Sequence, residues 1–548
     1  MKKFLLIISF LYCLTSQVQA QTLPVGFHAY EEYWRNYQLL GQIDSTLSFI
    51  QRPISISAFP ADMLPFLSEQ KWSNKWLDIR LLPVSMRSSF NTNFPTSIND
   101  GAFRADGGLQ KSLTGGVYLS KGNWSLQLMP ELVFHENKNY DAFPEEHFDV
   151  IWERRYYYWN RIDQPERFGN QAELRMLLGQ SALKYTFDND ISLGISTQNL
   201  WWGPAKRNAL VMSNQAEGFL HFSAQTEKPI LTKIGRFEGQ FIAGQLGNSN
   251  QLPPDTARTN QGYQLYVPKR DQWRYVSGIN LAYQPKWLEG LTLGYNKLTQ
   301  LYADEIRGAA DLIPFFNGSM STGVAANTNR PRSQQMSSMY MRWLLQEAKA
   351  EFYLSYGTKG PSRSFREFIE NPTLDRAFTG GVAKIYPVKN NSFVKVEMEA
   401  SFLGQNTRGE IRSGDSWYVD NYIRQGFTHK GEVLGAGIGG GANAQFLGVT
   451  WFKGLDQVGL TIERRLHDND FYYYAFEDSR DFRRFWVDLN IGLRGSKQLG
   501  QVLLSADILF TNAINYQWEL YNDPAEYFVD GIDKQNLSFQ VQATYFWK

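Results

Sequence analysis

In the segment "FVKVEMEASF" every second residue is apolar: Val394, Val396, Met398, Ala400 and Phe402 alternate with Lys395, Glu397, Glu399 and Ser401. An extended chain sends successive side chains to opposite faces, so this stretch predicts a strand with one greasy face and one charged face. The pattern recurs. Trp124, Leu126, Leu128, Leu132 and Phe134 oppose Ser125, Gln127, Glu131 and His135. Phe485, Val487, Leu489, Ile491 and Leu493 oppose Trp486, Asp488, Asn490 and Arg494, and Val502, Leu504, Ala506, Ile508 and Phe510 oppose Ser505 and Asp507.

A soluble sandwich also alternates, so the connections decide the class. One set is short: residues 121–123, 188–190, 389–391 and 453–456. The other set is long, polar and aromatic: residues 138–172, 248–272, 304–335, 405–435 and 513–534. Short turns on one side and long loops on the other describe an outer-membrane barrel. Counting strands from residue 78 to the end predicts an all-β transmembrane barrel of about 18 antiparallel strands, an even number that returns both ends to the periplasm. The last segment alternates Leu537, Phe539, Val541, Ala543, Tyr545 and Trp547 with polar residues, as a terminal barrel strand does.

The N-terminus agrees with an exported chain. Lys2 and Lys3 precede an apolar stretch of about a dozen residues and a small-residue cleavage site after Ala20, which predicts a signal peptide over residues 1–20. The single cysteine, Cys13, falls inside it, so no disulfide is expected in the mature chain. Residues 21–75 are expected to form a small periplasmic helical element, and residues 76–548 the barrel. Tyr30, Tyr33, Trp34, Tyr37 and Leu40 share one helical face, with Gly41 as the stop, and a second helix is expected from Ser57 onward, weakened by Pro65.

The formal net charge of +1, from 55 basic and 54 acidic residues, carries no nucleic-acid footprint. The six histidines lie in no recognisable metal or nucleophile motif, and no phosphate-cradling glycine loop is present, so neither a cofactor nor catalysis is expected. His467 with Asp468 and Asp470 is the one acid and histidine grouping at a strand top. The glycine-rich run at residues 435–445 is expected to pack closely or bend at the barrel wall.

Two loops concentrate aromatic and basic residues. Residues 150–161 bring Trp152, Tyr157 and Trp159 together with Arg154 and Arg155, and residues 468–484 repeat the combination around Tyr473. Aromatic faces stack on sugar rings, and guanidinium groups bond hydroxyls or carboxylates, so these are candidate glycan contacts. The competing assignment is an aromatic girdle or loop-to-loop packing. In "ISLGISTQNLWWGPAKRN" the alternation predicts that Trp201 faces lipid, that Trp202 faces the lumen, and that Lys206, Arg207 and Asn208 project from the rim as further glycan contacts.

The stretch "QNLWWGPAKRNALVMSNQAEG" resembles the Wzi family of outer-membrane capsule assembly proteins, in which a Trp-Trp-Gly-Pro segment precedes an apolar run and a Ser-Asn pair. The blocks "YQLLGQIDS", "LLPVSM" and "NDGAFRADGGLQ" agree in order. The motif-level likeness covers the first half of the chain, and the second half agrees in barrel pattern. The resemblance implies a lectin-like, non-enzymatic barrel of eighteen strands that ties capsular polysaccharide to the cell surface. Expected partners are capsular or extracellular polysaccharide, outer-membrane lipid and polysaccharide export machinery. The alternative function is a channel for small solutes, because about 18 strands leave room for an aqueous lumen.

Overall fold

The computed structural model describes residues 21–56, 59, 71–73, 77–313, 332–360, 365–370, 375–405, 416–476, 484–519 and 532–547. The expected signal segment lies outside these residues, as does the second helix apart from Phe59. Eighteen antiparallel strands form a closed barrel. The first, Asp78–Asn91, pairs with the last, Lys534–Tyr545, in a register that sets Phe90 opposite Phe539. Closure leaves no exposed sheet edge, which a wall in hydrocarbon requires.

Alternation sets the two faces as the sequence predicts. On the strand Phe393–Phe402, Met398 and Phe402 are about half exposed, whereas Lys395, Glu397, Glu399 and Ser401 are buried in the interior. Leu489, Ile491 and Leu493 likewise point outward from Val487–Leu499, with Asp488 and Asn490 inside. Phe485 departs from the expected register, because it precedes that strand and packs among the loops. Outward aromatics mark the short-turn end: Trp124, Trp287, Trp343, Tyr386, Trp451 and Tyr545 are all exposed there. Amphipathic rings at that height match a membrane interface, and the aliphatic band beyond them matches the hydrocarbon.

Proline accounts for local breaks in the wall. The third strand is split into Trp124–Leu128 and Glu131–His135 around Pro130, and the first shifts register between Leu82 and Ser85, around Pro83. A residue without an N–H cannot continue the ladder at either place.

The N-terminal helix His28–Leu39 follows the expected spacing and ends before Gly41, whose φ of 75° suits glycine. It sits inside the short-turn mouth of the barrel. Tyr30 packs on Leu455, Leu503 and Phe546, and Leu39 on Leu344, Ile385 and Phe452, so wall residues clasp the helix at both ends. Its polar side chains reach inward charges of the wall: Glu32 pairs with Lys395, and Gln38 accepts a hydrogen bond from Arg342 at 3.0 Å. Interior charge on the strands is therefore used to seat a plug.

Candidate functional site in the lumen and the exterior loops

The Trp-Trp segment lies within the barrel, away from the wall. The strand Ile191–Ser196 ends five residues before Trp201, and the chain then turns into the lumen. There Trp201 and Trp202 pair antiparallel with Arg52 and Gln51. Both rings are buried to 1% exposure, which corrects the expectation that Trp201 faces lipid. The Arg52 guanidinium lies 4.7 Å over the Trp201 ring, Arg35 donates to the Pro204 carbonyl at 3.0 Å, and Trp202 Nε1 donates to Gln240 Oε1 at 2.6 Å. Gly203, at φ 98°, makes the turn that brings this loop under the N-terminal segment.

Lys206, Arg207 and Asn208 do not project from the rim. Their three consecutive backbone N–H groups converge on the Glu399 carboxylate at 2.9, 3.1 and 2.8 Å, a nest of donors around an anion. Lys206 Nζ stands 2.7 Å from Glu351 Oε1, and Arg207 bonds Glu463 at 2.7 Å while covering the Phe446 ring. Burying these cations is tolerable because each meets a carboxylate. The next four residues, Ala209 to Met212, are all buried, and Leu210, Val211 and Met212 enter the main interior cluster with Trp202, Trp417 and Phe427. Four successive apolar residues cannot alternate across a wall, and that run was the available signal that the segment leaves the strand.

A second loop descends beside the first. Residues 416–442 supply Trp417, Tyr418, Phe427 and Leu434 to the same cluster. The glycine-rich run belongs here, in the plug, and only its end enters the strand Asn443–Lys453. Close packing is its role: a side chain at Gly435 would meet the Leu210 carbonyl at 2.3 Å.

On the exterior, the two aromatic-basic loops pack against one another. Helix Asp149–Trp159 and helix Asn469–Phe476 share a cluster containing Trp152, Tyr156, Trp159, Phe471, Tyr472 and Trp518. Arg155 lies among the rings of Phe143, Trp159 and Phe471, at 5.1, 4.9 and 5.5 Å. Arg154 donates to the Tyr474 hydroxyl at 2.6 Å. Trp152 and Trp159 are thus buried, which removes their faces from a solvent-borne sugar. Tyr157 is exposed, with Arg161 over its ring, and Arg154 and Tyr473 are partly exposed. His467 stacks on Trp486 at 3.8 Å and shares Asp488 with it, Nε2 and the indole N–H contacting the two carboxylate oxygens at 2.7 and 3.0 Å. That arrangement ties a loop to its strand.

Burial pushes the Asp468 carboxyl up to about 7, with Asp470 repelling it, and burial pushes Asp470 up to about 6. Between pH of about 4 and 7 the folded loop therefore binds more protons than the unfolded chain, so its stability falls as pH rises through that window. Amide exchange in residues 469–476 is expected to be slower at pH 5.5 than at pH 7.5, after correction for intrinsic rates. Equal protection at both values would remove these two carboxyls as the cause.

The family model for the capsule assembly protein Wzi matches residues 97–495. The chain belongs to this family. The match extends well beyond the first half, where the sequence motifs were confined. The solved structure of Escherichia coli Wzi, described as a carbohydrate-binding β-barrel of the outer membrane involved in group 1 capsule assembly, aligns with 95% of this chain and 98% of its own length. Its TM-score is 0.58 at 13% identity, a likeness of fold. Acinetobacter baumannii OccAB2 and OccAB1 align over 85% and 87% of this chain and 97% and 99% of their own, at 9% and 10% identity and TM-scores of 0.41 and 0.36. No curated relative matches the sequence. As a β-barrel of the Wzi family, the chain is an outer-membrane protein.

Proposed function

We propose that this barrel is a non-enzymatic anchor that binds capsular or extracellular polysaccharide at its exterior loops and helps attach or assemble it at the cell surface. The observation that carries this reading is a lumen obstructed by two inserted segments, although a polar cavity of about 290 Å³ remains between the plug and the wall. A helix entering from the short-turn mouth and a loop descending from the other side meet through Arg35, Arg52, Trp201 and Lys206, and Glu351 of the wall with Glu31 of the helix neutralises the cations between them. A conduit for solutes has no use for that arrangement. The carbohydrate binding described for the structurally similar E. coli barrel favours the same reading. Within the exterior face, Arg154, Tyr157 and Tyr473 are the proposed contact residues, since each keeps an exposed surface. Cleavage of a signal peptide after Ala20, lipid around the outward band and an export partner belong to the same proposal.

Deleting the gene is expected to move surface polysaccharide from the cell-bound to the released fraction with little change in the total. An unchanged cell-bound fraction would exclude an anchoring role. A lower total would point to synthesis or export, and a change in solute uptake alone to a channel.

A further inference from the structure

The exterior face holds an open cleft of about 330 Å³ lined by none of the candidate glycan residues above. Three separate segments build it. Pro268, Lys269 and Arg270 precede the strand Arg274–Pro285, Tyr302 ends the strand Leu291–Tyr302, and Tyr422 and Arg424 come from the descending loop. Its size is at the lower end of the range for small-ligand sites.

The cations of this cleft are unequally employed. Arg270 is satisfied by Asp304 and by Glu305, the latter at 2.6 Å. Arg424 spends three donors on the carbonyls of Asn160, Pro268 and Val267 and has no carboxylate within ion-pair distance among the described residues. A guanidinium has five N–H donors, so two are left over. Lys269 makes neither a hydrogen bond nor an ion pair among the described residues although it is half-buried. The acid whose charge acts on it, Asp163, is held by the backbone N–H and hydroxyl of Ser249 at 2.7 and 2.5 Å. The two phenols act as donors elsewhere: Tyr302 to Gln425 at 2.7 Å and Tyr422 to Glu305 at 2.6 Å. Tyr302 is buried and its oxygen also accepts the Arg424 backbone N–H, so it forms the floor of the cleft, whereas Tyr422 is partly exposed and its ring offers a stacking surface.

We propose that this cleft is a subsite for a single carboxylate-bearing sugar residue, with Lys269 and the spare donors of Arg424 on the carboxylate and the partly exposed Tyr422 against the sugar ring. The assignment rests on the polysaccharide-binding reading above and supplies its ligand class. A neutral sugar leaves the lysine uncompensated, whereas a uronate or a similar acid completes it.

Burial lowers the Lys269 ammonium to about 8, with Asp163 opposing the shift and Arg424 adding to it; Arg270, Tyr302 and Tyr422 are the other ionisable groups facing it. Binding of an anion should accordingly weaken as pH rises through about 8, where the empty site loses its proton.

The test is calorimetric titration of the purified full-length barrel in detergent with trigalacturonate, neutral maltotriose and inorganic phosphate. Trigalacturonate is expected to bind more than about tenfold tighter than maltotriose, with Lys269→Gln removing about tenfold of that affinity and Lys269→Arg restoring it. The wild-type affinity should fall between pH 7 and 9.5, and the Lys269→Arg affinity should not. Heat-modifiable migration on gels establishes that each variant is a folded barrel. Equal affinity for the charged and neutral trisaccharides, equal affinity for phosphate and uronate, or an unaffected Lys269→Gln variant would each overturn the subsite. Retention of the cell's own polysaccharide on immobilised protein separates the two claims. Retention by wild type and Lys269→Gln alike removes the subsite and leaves the anchoring reading, while no retention by wild type removes the reading itself.

Discussion

Glu351→Gln is expected to destabilise the folded barrel by about 3 to 5 kcal/mol, the usual range for stripping the partner from a buried charge. The side chain is fully buried and joins three parts of the molecule. One oxygen lies 2.7 Å from Lys206 of the descending loop, and the other lies 2.7 Å from Arg342 of the wall and 3.9 Å from Arg35 of the N-terminal helix. An amide of the same shape keeps the packing, strips Arg342 of its carboxylate and leaves Lys206 and Arg35 with only their longer pairs to Glu397 and Glu31, at 3.4 and 3.7 Å. Denaturant unfolding in detergent, followed by tryptophan fluorescence, measures the loss. Planar-bilayer recording measures its functional side: wild type should be silent, and the variant should show intermittent openings as the plug loosens. Adding Arg342→Met should recover part of the stability, because Arg342 has no other carboxylate within ion-pair distance among the described residues, whereas Lys206 keeps Glu397 at 3.4 Å. An unchanged unfolding midpoint for Glu351→Gln would mean that the plug is held by packing alone.

The second large effect concerns Trp202. Trp202→Ala is expected to cost about 3 to 5 kcal/mol, mainly through the cavity left in a tightly packed interior. The ring is 1% exposed and packs so closely that a methyl group on Gly278 would come within 2.7 Å of it. Gln240 Oε1 would also lose the indole donor. The expected readout is a lower yield of folded barrel and a reduced melting temperature, with polysaccharide retention per folded molecule unchanged. Trp202→Phe should be milder, since it keeps most of the volume. A well-folded Trp202→Ala barrel that fails only in retention would reverse this assignment and make the ring a ligand contact.

The difference between legible and illegible parts of this chain is physical. Lys395, Glu397 and Glu399 could be placed on the interior face because a strand in a membrane wall has two sides, one of which must be apolar. The same rule placed the last strand and the short turns. It failed at Trp201, where the strand had already ended and period two no longer applied. Lys206, Arg207 and Asn208 were assigned to the rim because cations beside an exterior loop ordinarily seek water. Their carboxylate partners, Glu351, Glu399 and Glu463, are 145 to 256 residues away in sequence. The aromatic and arginine pairs of residues 150–161 and 468–484 look alike whether they bind sugar or one another, and only their mutual packing showed which surfaces were left exposed.

What the amino-acid sequence determined by itself is the wall: alternation along each strand follows from backbone geometry and from lipid outside, and both are local. What the tertiary structure decided is the contents of the wall and the exterior cleft. Those depend on charges and rings from distant segments meeting in a low-dielectric interior, where each must find a partner that no local pattern announces.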